Sequence, residues 1–149
     1  MKVSVARATL TTEAIECMLR AAADRARELD IRVHIAVMDP AAELVGFISF
    51  EGAPRLAATT ARHKAFTAVN TGMSTLAWMQ YVDSIPESER RIIAGIEGYI
   101  GADGGYPIYQ DGLLLGGIGV SGADQARDEA CARAAVEALG LTVARNAEA

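Results

Sequence analysis

Residues 104–122 read GGYPIYQDGLLLGGIGVSG, and this stretch decides the fold. Its two apolar runs, residues 106–109 and 113–120, flank an Asp-Gly dipeptide, which is typical of the tight turn between two antiparallel strands. A second pair of apolar runs, residues 31–37 and 44–50, is separated by a short turn that contains Pro40. A parallel crossover needs a dozen or more residues, so the sequence predicts a second antiparallel hairpin here.

Stretches with a helical spacing of apolar residues flank and separate the two hairpins. They are residues 12–29, 54–70, 75–82 and 124–139, and the last of them stops at Gly140. The stretch SIPESERR, residues 84–91, is predicted to be a polar loop, and residues 92–108 to be irregular or short-stranded. This order indicates an α+β fold with a central, mainly antiparallel sheet flanked by helices, rather than a doubly wound parallel sheet. We predict one domain over residues 1–149, with a core over about residues 9–140.

The composition excludes several classes of partner. The chain of 149 residues carries 14 basic and 19 acidic side chains, which gives a net charge of −5, and it has no basic run, so no nucleic acid partner is expected. No stretch is apolar enough for a membrane span or a targeting segment, and we expect no membrane partner and a cytoplasmic location. Cys17 and Cys131 lack metal-binding or redox spacing and are interpreted as small buried apolar residues, so no metal site is predicted.

Residues 117–122, GIGVSG, match the GxGxxG pattern of dinucleotide-binding folds. That chemistry requires a second parallel strand with an acidic residue about 20 positions further on, and the chain offers neither. We interpret these glycines as positions where a helix or a ligand approaches the backbone closely. Ser121 is interpreted as a cap of the last helix, whose first N–H groups can also hold an anion.

A helical wheel of residues 54–71 separates a stripe of small residues from a polar band. The stripe, predicted to lie on the sheet, consists of Ala57, Ala58, Ala61, Ala65, Ala68 and Val69. The polar band contains His63, Lys64 and several threonines, and threonine is a poor helix former that an ordinary solvent-facing surface would not favour. We therefore predict that this band faces a ligand or another subunit. A structural histidine and a solvated lysine remain the alternatives for His63 and Lys64, and His34 is given less weight than either.

Several segments together resemble the GlcG/HbpS family, also described as the haem-degrading or DUF336-like domain. They are IAVMDPAAELVGF, EGAP, ARHKAFTAV, GGYPIYQDGLLLGGIGVSGA and DEACARAAVEAL, in the family order. The resemblance implies a profilin-like fold, self-assembly and a role beside catabolic pathways for small carboxylic acids, diols and aromatics. It places Lys64 and Asp128 among the positions of the family pattern and implies that Lys64 lines a pocket. Some members bind haem, with an axial histidine that the first helix can supply; residues 11–29 contain none, so no cofactor is expected here.

We therefore expect an oligomeric small-ligand-binding or accessory protein of a catabolic pathway, with a small anionic, carboxylate-containing metabolite as its ligand. The first alternative is a cofactor-independent hydrolase, lyase or isomerase acting on a small unsaturated acid or lactone, in which Lys64 holds the carboxylate or stabilises an oxyanion and His63 or Glu97 is the general base. The second is a haem-binding protein with His63 as axial ligand. The candidate catalytic residues are Lys64, His63 and Glu97. The candidate ligand-binding residues are Arg55, Thr60, Thr67, Asp103, Gly104, Gly105, Tyr106, Ser121 and Gly122.

Overall fold

The structure, a computed structural model, describes residues 1–143, which form helices and one four-stranded sheet. The elements follow in the order α1 (Thr12–Glu28), β1 (His34–Met38), β2 (Leu44–Ser49), α2 (Leu56–Thr71), α3 (Thr75–Ser84), α4 (Glu87–Ala94), β3 (Gly105–Gln110), β4 (Leu113–Ser121) and α5 (Gln125–Ala138). The α+β class predicted from the sequence is confirmed, and so are its two hairpins.

The sheet has the strand order β2-β1-β4-β3, and all three pairings are antiparallel. The first hairpin therefore lies beside the second, with β1 and β4 in the centre. The turn between β3 and β4 is formed by Asp111 and Gly112, whose φ angles are 51° and 76°. This left-handed conformation is the one that an Asp-Gly pair favours in a tight hairpin, and it fixes the register of the two strands.

Helices cover both faces of the sheet. Ile35 and Val37 of β1 belong to the main core, which is formed with α1 and α5, whereas Ala36 and Met38 pack with α2 on the other face. Because successive side chains of a strand point to opposite faces, a strand covered on both faces is buried throughout, as β1 is. His34 therefore belongs to the face that α2 covers.

The α2 helix lies unusually close to the sheet. Its predicted stripe of small residues is confirmed, because Ala57, Ala61, Ala65, Ala68 and Val69 are buried. A Cβ atom placed on Gly119 of β4 would lie 2.2 Å from the carbonyl oxygen of Ala61, so only glycine permits this approach. The interpretation of the glycine motif as a site of close helix approach is therefore confirmed.

Two local predictions are wrong. Most of the stretch predicted as a polar loop belongs to α4, which begins after Pro86. Two acidic residues lie in its first turn, where their negative charge interacts favourably with the positive end of the helix dipole. None of the residues of α4 is buried, and a helix without a buried face shows little apolar periodicity. The cap of α5 is Asp124, whose side chain accepts from the N–H of Arg127 at 3.0 Å, whereas Ser121 is the last residue of β4. Along residues 1–143, no helix combines the length and the apolarity needed to cross a bilayer.

Candidate functional site

Lys64 is buried in an ion pair that joins the two helical layers. Its ammonium donates to the carbonyl oxygen of Val120 at 2.8 Å and to Asp128 Oδ2 at 3.0 Å. The two side chains are only 2% and 3% exposed. Because α2 and α5 cover opposite faces, the Lys64 side chain links one layer to the other across the end of the sheet.

Glycine and the backbone shape the space around this pair. Gly104 has a φ of +120°, and a Cβ there would lie 3.0 Å from Lys64 Nζ. The second carboxylate oxygen of Asp128 accepts from the N–H of Ala123 at 2.9 Å, so both oxygens have donors. Burial lowers the pKa of Lys64 against the opposing charge of Asp128, and burial raises the pKa of Asp128 against the opposing charge of Lys64.

This placement differs from the one that the wheel of α2 predicted for Lys64. The prediction placed the ammonium in a ligand-facing polar band, and the structure places it inside the protein with a carboxylate already bound. The ammonium is buried and already bound to a carboxylate and a carbonyl oxygen, and separating it from the carboxylate leaves an uncompensated buried charge. Lys64 therefore holds α2 and α5 together in this conformation.

Three of the four threonines of α2, Thr60, Thr67 and Thr71, make side-chain hydrogen bonds within the protein, whereas Thr59 is exposed. Thr67 is buried, and its hydroxyl accepts from the N–H of Ile100 at 3.0 Å, which attaches the segment after α4 to α2. The hydroxyl of Thr60 donates to the carbonyl oxygen of Leu56 at 3.3 Å, a local bond that helical threonines commonly make. His63 is half-buried beside Lys64, whereas Glu97 is exposed on the segment that follows α4.

The remaining candidates lie near the ion pair or on the far side of the sheet. Asp103, Gly104, Gly105 and Ser121 are buried near the Lys64–Asp128 pair, and Gly105 donates its N–H to the hydroxyl of Thr75 at 2.9 Å. Tyr106 belongs to the core on the α1 and α5 side, where its hydroxyl lies 2.6 Å from Glu129 Oε1. Gly122 follows β4, and a Cβ there would lie 2.4 Å from the carbonyl oxygen of Arg32.

A cavity of about 520 Å³ lies at the start of α2. It is lined by His34, Ser49, Phe50, Glu51, Gly52, Ala53, Arg55 and Ala58, and we name it the His34–Arg55 cavity. Of the candidates from the sequence, Arg55 lines this cavity, whereas Lys64, His63 and Glu97 are not among its lining residues. His34, which received little weight from the sequence, is brought to the cavity by β1.

The electrostatics of this cavity favour an anion at its α2 end. Arg55 occupies the N-cap position of α2, its side chain makes no capping bond, and the first turn contains no acidic residue. The positive end of the helix dipole is therefore not neutralised from within the helix. Glu51 lies on the same cavity but is exposed and contacts Arg32 at 3.5 Å.

His34 is almost fully buried, with 4% of its surface exposed. Its Nε2 lies 3.0 Å from the carbonyl oxygen of Pro54, and its ring stacks on Phe47 at a centroid distance of 5.9 Å. Its other ring nitrogen, Nδ1, is buried and has no hydrogen-bond partner within residues 1–143. An unpaired buried nitrogen costs free energy, so His34 is a locally strained point of the otherwise well-paired sheet.

A second cavity, of about 370 Å³, lies between α3, α4 and the segment that follows α4. Trp78 and Tyr99 form its aromatic wall with ring centroids 5.4 Å apart, and Met79 and Arg90 also line it. Tyr99 and Met79 supply an oxygen and a sulfur atom that can bind a transition metal. Over the described part of the chain, residues 1–143, no three His, Cys, Asp or Glu side chains are grouped as a metal site.

Comparison with known families identifies the domain. The family model described as haem degrading protein HbpS-like matches residues 10–137, which is most of the chain. The chain belongs to the HbpS-like family. The resemblance found in the sequence is thereby confirmed, and the four-stranded antiparallel sheet flanked by helices is the fold of this HbpS-like domain.

Individual relatives agree with this assignment. The corrinoid adenosyltransferase PduO of Citrobacter freundii is 30% identical, and the match covers 89% of this HbpS-like chain but only 40% of PduO. The crystal structure of a double mutant of HbpS from Streptomyces reticuli has a TM-score of 0.83 at 30% identity and covers 92% of this chain and 91% of its own. The crystal structure of PduOC in complex with haem has a TM-score of 0.81 at 25% identity, and the match covers 93% of this chain and 99% of the PduOC chain.

Proposed function

We propose that this HbpS-like protein is a small-ligand-binding accessory protein of a catabolic pathway that binds the carboxylate of a small metabolite in the His34–Arg55 cavity. The observation that carries the proposal is the convergence of Arg55, the start of α2, which has no side-chain cap, and the buried His34 on one cavity. A guanidinium can bind a carboxylate through two parallel hydrogen bonds, and a helix N-terminus stabilises negative charge.

The contacts of Lys64 favour ligand binding over the enzymatic alternative. In that alternative, Lys64 stabilises an oxyanion and His63 or Glu97 is the base. The ammonium of Lys64 already contacts Asp128 and Val120 at hydrogen-bond distance. Arg55, in contrast, is exposed at the mouth of a cavity and makes no side-chain capping bond.

The carboxylate proposal is tested by thermal unfolding and calorimetry with a series of small monocarboxylates. A ligand that binds only the folded state raises the melting temperature, and the rise grows with the logarithm of the ligand concentration relative to its dissociation constant. We expect Arg55→Ala to weaken binding roughly tenfold or more, because a charge-assisted hydrogen bond contributes about 1.5–3 kcal/mol. Arg20→Ala is the matched control, since Arg20 is an exposed arginine of α1 outside the cavity. Equal affinities for the wild type and Arg55→Ala would refute the proposal.

Haem is a second candidate ligand, favoured by the family description and by the haem complex of PduOC. Haem iron is normally held by His, Cys, Met or Tyr side chains. The second cavity, between α3, α4 and the segment that follows α4, fits this donor set because Tyr99 and Met79 line it. Arg90, which also lines it, offers a cation for a haem propionate. Bound haem would supply a redox-active iron, which Tyr99 would orient. His63, the candidate from the sequence, is not among the residues that line this cavity.

A hemin titration followed by the Soret band tests this candidate. We expect a shifted Soret band in the wild type, a weakened or altered band in Tyr99→Phe, and an unchanged band in His63→Ala. Loss of the band in His63→Ala alone would assign the axial ligand to α2 and contradict the proposed cavity. The absence of any Soret shift in the wild type would exclude haem.

We also propose that the protein partner is a second copy of this chain, bound through α4. Residues 78–102 contain no buried residue, and Ile92 of α4 is 63% exposed. Of its charged side chains, Glu87 is paired with Arg91 within the helix at 2.7 Å. Pairing of two α4 helices around a twofold axis covers the exposed apolar side chains.

Sedimentation velocity tests this interface. We expect the wild type to sediment as an oligomer and Ile92→Glu to sediment as a 15.7 kDa monomer. Leu113→Glu is the matched control, because Leu113 is 57% exposed at the start of β4, outside α4. A monomeric wild type, or an oligomer that survives Ile92→Glu, would contradict the interface.

A further inference from the structure

The α4 helix is held to the rest of the domain mainly by its chain connections. None of its eight residues is buried, and the ion pair that its side chains form joins Arg91 to Glu87 within the helix itself. Helices shorter than about 12–15 residues are marginally stable in water, so a short helix depends on packing against its neighbours. We therefore expect α4 to open locally at a low cost in free energy.

The inner side of α4 borders the second cavity rather than a packed core. Arg90, Ile93 and Ala94 of α4 line this cavity of about 370 Å³, together with Trp78 and Met79 of α3. Protein interiors are normally packed without spaces of this size. The gap between α3 and α4 therefore leaves room for a ligand and for a movement of α4 towards α3.

Unpaired opposite charges lie on the two helices that border this cavity. Asp83 of α3 and Arg90 of α4 both line it and are exposed. Within residues 1–143, the structure shows no ion pair or side-chain hydrogen bond for either of them, whereas the neighbouring Arg91 is paired with Glu87 at 2.7 Å. A movement of α4 towards α3 would bring the two charges closer together and increase their attraction.

We propose that α4 is a lid over the second cavity, and that Arg90 pairs with Asp83 when the lid closes on an apolar ligand. The inference rests on haem as the candidate ligand of this cavity and deepens that candidate by assigning how the cavity closes. In the closed position, Trp78, Met79 and Ile93 bury apolar surface of the ligand. The guanidinium of Arg90 has five N–H donors, so it can pair with Asp83 and contact a haem propionate at the same time.

Hydrogen exchange of the full chain, measured by mass spectrometry, tests the lid, because the exchange rate of an amide reports the free energy of local opening. In the free protein we expect the amides of α4 to exchange roughly a hundredfold or more faster than those of α2, which is packed on the sheet. Saturation with hemin is expected to slow the exchange of α4 by roughly tenfold or more, because the closed lid packs on the ligand. Exchange of α4 that is as slow as that of α2 in the free protein would overturn the inference.

Asp83→Asn isolates the ion pair, because Asp83 belongs to α3 and its replacement leaves the sequence of α4 unchanged. With saturating hemin, we expect Asp83→Asn and Arg90→Gln each to speed the exchange of α4 by roughly two- to fivefold, the range for a solvent-exposed ion pair. The two substitutions together are expected to have no more effect than one, and the charge exchange Asp83→Arg with Arg90→Asp is expected to restore the wild-type rate. Gln80→Ala, at an exposed position of α3 outside the cavity, is the matched control. Unchanged exchange in Asp83→Asn, or an equal change in Gln80→Ala, would overturn the pairing.

The Soret band of hemin, recorded on the same samples, separates failure of the lid from failure of the ligand. A Soret shift without slower exchange of α4 refutes the lid and leaves haem as the candidate ligand of the second cavity. The absence of a Soret shift refutes the haem candidate and, with it, the closure of α4 on that ligand.

Discussion

The ion pair between Lys64 and Asp128 permits a sharp test of how the two helical layers are joined. Lys64→Met preserves most of the volume of the side chain and removes the charge, which leaves the Asp128 carboxylate buried without its cation. Because the two side chains are 2% and 3% exposed, solvent cannot compensate for the lost partner. Removing one member of a buried pair typically costs about 3–5 kcal/mol. At roughly 2–4 °C per kcal/mol for a chain of this size, the melting temperature should fall by about 6–20 °C.

The double variant separates the pair from the single groups. Asp128→Asn keeps an oxygen that can accept from the N–H of Ala123, and it is also expected to lose about 3–5 kcal/mol because the ammonium remains buried. Lys64→Met combined with Asp128→Asn removes both charges, and we expect its free energy of unfolding in urea to approach that of the wild type. A double variant whose loss equals the sum of the single losses would refute the coupling.

The pair also predicts a pH dependence relative to this double variant. The pKa of Lys64 is lowered by burial, so the unfolded chain binds more protons below 10.5 and the contribution of Lys64 to the free energy of unfolding rises as pH increases towards 10.5. The pKa of Asp128 is raised by burial, so its contribution rises as pH falls towards 3.8. We therefore compare the free energy of unfolding of the wild type with that of the double variant as a function of pH. The advantage of the wild type is expected to be smallest between pH 3.8 and 10.5 and to grow towards both ends of this range. A difference that is greatest in the middle of this range would contradict the assigned directions.

Two further predictions concern the core. Gly119→Ala places a Cβ 2.2 Å from the carbonyl oxygen of Ala61 and 2.5 Å from the nitrogen of Ala65. We therefore expect the free energy of unfolding, measured in urea, to fall by about 1–3 kcal/mol or more. Unchanged stability would show that α2 moves freely. Burial raises the pKa of the Cys131 thiol to about 12, so Cys131 has little reactive thiolate at pH 8. Maleimide at this pH should therefore label the half-buried Cys17 first in the native protein. Peptide mass spectra in which Cys131 reacts first would contradict the buried core.

The sequence predicted the sheet well because its signals are local. The Asp111-Gly112 turn and the short turn at Pro40 each fix one hairpin, and the alternation of apolar residues identifies the strands. The α4 helix was missed because residues 84–91 are nearly all polar, and a helix that buries no residue gives little periodic signal. Strand order was not specified by local patterns, since the pairing of β1 with β4 joins residues about 80 positions or more apart, from His34 with Ser121 to Met38 with Gly117.

The site was less predictable because it depends on contacts between residues that are far apart in the sequence and lie in different helices and strands. Lys64 was selected as an unusual residue, but a helical wheel gives only the direction of its Cβ and not the path of a long side chain towards Asp128. His34 received little weight because it shares a strand face with Arg32 in the sequence pattern. The structure shows that α2 covers this face and that Pro54 satisfies one nitrogen of the ring, a long-range contact that no sequence pattern reported.

The close packing of α2 on the sheet separates the part of the chain that fixes the helix position from the part that lines the His34–Arg55 cavity. Close backbone contact at Gly119 fixes the height of α2 above the sheet, so the position of its first turn is set by alanines and glycines far from the His34–Arg55 cavity. Arg55 and the connection from β2 to α2 extend from this fixed anchor. Substitutions in that connection are therefore expected to change the shape and charge of the cavity while the frame of the domain stays the same.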